Sequence, residues 1–94
     1  MMTGGSGAYS GKDTQRTATQ SARDSAITAE VRAQHRNDSI VSPYVIGVQT
    51  VQGRVTLTGS VGSYEARNQA YRIARKVDGV TAVINQIRVD DQSN

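Results

Sequence analysis

The sequence predicts an α+β fold: a two-layer sandwich of αββαβ order, with two helices on one face of a three-stranded mixed sheet. Three observations predict it. First, the chain holds eleven Val and six Ile against a single Leu, Leu57, and branching at Cβ suits a pleated strand better than a helix. Second, two alternating segments flank Gln52-Gly53 in one self-consistent register. Third, a helical stripe separates this hairpin from a last alternating segment, and such a strand–helix–strand unit crosses right-handed to a parallel neighbour.

The elements follow in chain order. Residues 1–23 hold Gly4, Gly5, Gly7 and Gly11 among Ser, Thr and Gln with no apolar period. Such a segment buries too little surface to offset its ordering entropy and reads as a disordered leader or linker. It lacks the basic and apolar regions of a signal peptide, so the chain is expected to be cytosolic or a piece of a longer exported precursor. Asp24, ahead of Ser25-Ala26-Ile27, is placed to cap a first helix that runs to about Arg36. Its stripe is Ile27, Val31 and His35. Asn37-Asp38-Ser39 ends it, Pro43 holds Ser42 extended, and Ile40 and Val41 are expected to fold back over the core.

Tyr44–Val51 and Arg54–Ser60 then read as two strands joined by a two-residue turn. With Gln52-Gly53 as the loop, Val51 opposes Arg54, Thr50 opposes Val55 and Val48 opposes Leu57. One face carries Ile46, Val48, Thr50, Val55 and Leu57; the other carries Val45, Gly47, Gln49, Val51, Arg54, Thr56 and Thr58. Both strands agree on which side is the core, as a correct register requires. Ser63 caps a second helix with Glu65 in its first turn. Ala66, Ala70, Ile73, Ala74 and Val77 form its apolar stripe, and Gly79 is expected in a left-handed conformation beyond its end. A strand from Thr81 to Val89 points Val83, Asn85, Ile87 and Val89 to one side. The domain thus spans residues 24–89, followed by a polar, acidic tail over residues 90–94.

Composition excludes several functions. Without Cys there are no disulfides, thiol nucleophiles or cysteine-held metals. No apolar run approaches the roughly 20 residues that a membrane-spanning helix needs. The net charge of +3 is modest, but nine of the eleven cations are Arg, which favours bidentate contact with phosphate or carboxylate. So thin a core leaves no deep apolar cavity, and no small-molecule substrate or cofactor is expected.

Several stretches now carry a resemblance: Asp24-Ser-Ala-Ile-Thr-Ala-Glu-Val31, Val48-x-Thr50-x-x-Gly53-x-Val55-Thr-Leu57-Thr-Gly59-x-Val61, Ala70-x-x-Ile73-Ala74, and Val77-Asp-Gly79-Val80-x-x-Val83. In this order and spacing, over about Asp24 to Val89, the chain resembles a BON domain. That family is named for osmotically inducible periplasmic and nodulation proteins of bacteria. The resemblance implies an αββαβ module of the periplasm or cell envelope, thought to bind phospholipid or attach proteins to membranes, often in tandem, and without catalytic residues. One departure stands out. His35 replaces a Leu that the family usually carries near the end of the first helix, and Ile40 or Val41 is expected to fill the space.

Three constellations bear on chemistry. His35 is the only His, so it has neither a triad nor a metal-ligand spacing around it; a ring hydrogen-bonded at a helix end outweighs a pH-sensitive latch. Gly59-Ser60-Val61-Gly62 is similar to a KH-type backbone clamp but lacks its basic residues and is expected to shape a strand-to-helix turn. The second helix is the better surface. Arg67, Tyr71 and Arg75 recur at four-residue spacing, flanked by Tyr64, Arg72 and Lys76, a pattern suited to an anionic headgroup layer. Arg54 and Arg88 on the open sheet face are too sparse to make a patch. The sheet also lacks the aromatic platform of RNA-binding sheets, so no nucleic-acid partner is expected. The reading is a non-enzymatic envelope module for anionic phospholipid, the alternative a protein-interaction or oligomerisation module using the open sheet face or an edge strand. Other envelope proteins or tandem copies are the further partners expected.

Overall fold

The computed structural model describes residues 18–90. They form helix α1 (Ala18–Arg36), strands β1 (Ile46–Val51) and β2 (Arg54–Val61), helix α2 (Tyr64–Lys76) and strand β3 (Ala82–Val89). The sheet order is β1-β2-β3, with β1 antiparallel and β3 parallel to β2. Both helices pack on one face, α1 chiefly on β1 and α2 chiefly on β3. This is the expected α+β sandwich.

The hairpin register matches the sequence reading, with Val48 opposite Leu57, Thr50 opposite Val55 and Val51 opposite Arg54. Gln52 and Gly53 both take positive φ, 52° and 82°, as a type I′ turn requires. A Cβ on Gly53 would lie 2.9 Å from the Gly79 carbonyl oxygen, so the turn is wedged against the loop after α2. Leu57, Val31, Val41, Val55 and Val61 are the largest fully buried side chains. Val41 fills the core as expected, with Ile40 packed against it.

Three expectations need correction. Asp24 does not cap α1: among the described residues the helix spans Ala18–Arg36, and Asp24 lies within it and is buried. Its carboxylate instead accepts the N–H groups of Gln52 at 2.8 Å and Gly53 at 3.0 Å. The turn supplies two donors that its own strands cannot satisfy, and the upstream residues carry the helix on. The expected leader accordingly loses residues 18–23 to α1, and residues 1–17 lie outside the described residues. Gly59 does not shape a strand-to-helix turn. It sits inside β2, paired with Ile46 and Ile87, at φ 127°, where a Cβ would come within 2.8 Å of the Val45 carbonyl oxygen.

α2 begins as predicted: Ser63 is extended and its hydroxyl accepts from the Ala66 N–H at 3.1 Å. Its apolar stripe is buried through Ala66, Ala70, Ile73, Ala74 and Val77. The small alanines let the helix approach the sheet closely and leave the opposite side to charge.

Candidate functional site: the basic side of the second helix

α2 carries all six residues singled out above, and the fold divides them. At about 100° per residue, a four-residue step drifts by about 40°. The line Arg67–Tyr71–Arg75 therefore starts on the flank above β3 and ends on the outer surface. Arg67 is half-buried, and its Nε donates to the Ile87 carbonyl oxygen at 3.0 Å. Tyr71 is half-buried, and its hydroxyl accepts from Nη1 of the exposed Arg75 at 2.9 Å. The Arg75 guanidinium also stands 5.8 Å from the Tyr71 ring centroid, within cation–π range. Tyr64, at 66% exposure, stands free at the start of the helix.

Arg72 and Lys76 lie on the side turned toward α1. Arg72 is exposed and donates to Gln69 Oε1 at 3.0 Å. Lys76, also exposed, helps line an open groove of about 780 Å³ with Arg23, Ile27 and Glu30 of α1 and Gly53 of the hairpin turn. The six residues thus form a band around the exposed side of α2, with Arg67 anchored at one margin and Lys76 at the other. The arginines' hydrogen-bond partners are neutral: a backbone carbonyl, an amide and a phenol. Their charge is held in place without being cancelled by these contacts.

Two polar contacts set the position of α2 relative to α1. His35 is buried, and its Nε2 donates to the Ala70 carbonyl oxygen at 3.1 Å. Its Nδ1 is buried with no hydrogen-bond partner among the described residues. Burial lowers its pKa from the usual 6.5, opposed by the Ala70 contact and by the charge of Asp38. Asp38 in turn accepts from Gln69 Nε2 at 2.8 Å and from the Ile40 and Val41 N–H groups at 2.9 and 3.2 Å. These bonds, led by Gln69, hold its carboxyl below 3.8. They also fix the loop that seats Val41 in the core.

The groove is not legible in the sequence, because its two walls meet only in the folded chain. Nor is the role of Asp24, because an Asp ahead of an apolar stripe fits equally a cap and a buried acceptor. Among the described residues, no helix is long and apolar enough to cross a membrane.

The fold and this surface together define a class: a small αββαβ sandwich with a basic band on its second helix. The chain belongs to the BON domain family, which it matches over residues 23–91. It is similar to osmotically-inducible protein Y of Escherichia coli (strain K12), with 39% identity over 67 residues. The match covers 71% of this chain and 33% of that relative, so the chain spans about a third of the relative's length.

Proposed function

We propose that this domain is a non-enzymatic binding module of the bacterial envelope that engages anionic phospholipid headgroups through the basic band of α2. The observation that carries this reading is the set of arginines on α2 held by neutral partners, with Arg75 lying over Tyr71. A guanidinium so placed keeps donors for a phosphate, and a tyrosine beside it suits the boundary between water and lipid. Membership of the BON family and the osmotic-stress relative support an envelope setting. Binding by one copy is weak and salt-sensitive, and a further copy or a neighbouring anchor adds avidity.

Amide shifts of the labelled domain, followed as vesicles are added, test the reading. Vesicles of anionic lipid are expected to move residues 64–76, and neutral vesicles to leave them unmoved. Anionic vesicles that leave this segment unmoved would overturn it. A second reading, protein interaction through the open sheet face, is favoured by exposed apolar residues there, Ile84 at 39% and Val51 at 38%, with Val45 at 91% just ahead of β1. Lipid-free shifts centred on those residues when other envelope proteins are added would select it.

A further inference from the structure

The outer edge of β3 is closed at one point by side chains. Asp90 donates its N–H to the Val61 carbonyl oxygen at 2.7 Å, and the pairing of Val61 with Val89 fixes the parity of the strand. Backbone groups of residues 82, 84, 86 and 88 face β2, while those of Val83, Asn85, Ile87 and Val89 face away from it. The outward groups of Ile87 are both occupied. Its N–H donates to Asn85 Oδ1 at 3.2 Å, and its carbonyl accepts from Arg67 Nε at 3.0 Å. Asn85 Nδ2 reaches back to the Arg67 carbonyl at 3.5 Å, so strand and helix form one clasp.

We infer that the β3 edge is a latent strand-addition surface for a second copy of this chain, held closed by Arg67 and Asn85. An unpaired edge templates further pairing unless something blunts it, and the eight residues of β3 contain no Pro, no Lys and no carboxylate. The strand is also self-complementary. An antiparallel pair about a two-fold axis at Gln86 places outward-facing Asn85 opposite Ile87 of the second copy, and Val83 opposite Val89. On the open face, Gln86 meets Gln86 and Ile84 meets Arg88, so no like charges are directly opposed. Opening the clasp would join two three-stranded sheets into one of six strands.

This inference stands on edge geometry and is tested without lipid, so it fails or holds apart from the phospholipid reading. The full chain carrying Arg67→Met and Asn85→Ala is compared with the unaltered chain by light scattering, with circular dichroism to check the fold. The unaltered chain is expected at the mass of one copy, 10.1 kDa, and the double variant at twice that mass. Adding Gln86→Asp sets two carboxylates opposite each other at the two-fold axis and should return the double variant to one copy. A folded double variant that stays at one copy overturns the inference, as does an assembly indifferent to Gln86→Asp. If the double variant does not fold, hydrogen exchange of the unaltered chain decides. The Ile87 amide should exchange about tenfold or more slowly relative to Val83, and equal rates would overturn the clasp.

Discussion

At position 35 a titratable ring occupies a core site that Leu would fill with nothing to satisfy. His35 makes one hydrogen bond and leaves Nδ1 buried without a partner, so protonation would strand a charged N–H. Its folded pKa lies below 6.5, so the contribution of this residue to stability is complete above 6.5. That contribution is lost as pH falls toward the folded value. Asp38, whose carboxyl is held below 3.8, adds stability that is lost only at lower pH. Denaturant unfolding should therefore show stability declining below 6.5, and His35→Leu should flatten that decline while shifting stability at pH 8 by no more than about 1.5 kcal/mol. Leu57→Ala, at the largest fully buried side chain, should cost about 2–5 kcal/mol. The stripe containing His35 was legible from its spacing. Its partner Ala70 was not, because the two are 35 residues apart and meet only when the helices pack.

Among the elements, the hairpin turn is the junction that ties the layers together. Asp24 holds it from α1, and the Gly53 carbonyl accepts from the Thr81 N–H at 2.8 Å. Asp24→Ala leaves two turn donors without this acceptor and should cost about 2–4 kcal/mol. Its signature is faster hydrogen exchange at the Gln52 and Gly53 amides than at Gln49 and Leu57, whose N–H groups lie within the ladders. The register of the strand pair was legible, since period-two alternation and a Gly at the turn allow one register, while the first strand starts at Ile46 rather than Tyr44 and the second runs to Val61 rather than Ser60. The start of α1 was not: residues 18–23 carry no apolar stripe, and they extend a helix fixed by contacts further along. The same limit applied to α2. Four-residue spacing put Arg67, Tyr71 and Arg75 on one line, while the helical drift turned Arg67 to the flank and into contact with β3.

On the scale of the whole molecule, most of the large aliphatic residues are spent on one thin core, and the exposed cations of α2 lie on the layer opposite the open sheet face. A membrane surface would then meet the helical layer and leave the sheet turned outward. Each basic residue near an anionic leaflet contributes about 1 kcal/mol. Reversing Arg72, Arg75 and Lys76 together should weaken binding by about 3 kcal/mol or more, at least roughly a hundredfold. Raising ionic strength from about 0.1 to about 1 M shortens the screening length from about 10 to about 3 Å and should weaken it in the same direction. The most direct measurement is co-sedimentation of the unaltered chain and the variant Arg72→Glu/Arg75→Glu/Lys76→Glu with anionic and with neutral vesicles. The predicted result is salt-sensitive binding of the unaltered chain to anionic vesicles alone, lost in the folded variant. Equal binding of both proteins, or equal binding to both lipids, would contradict it.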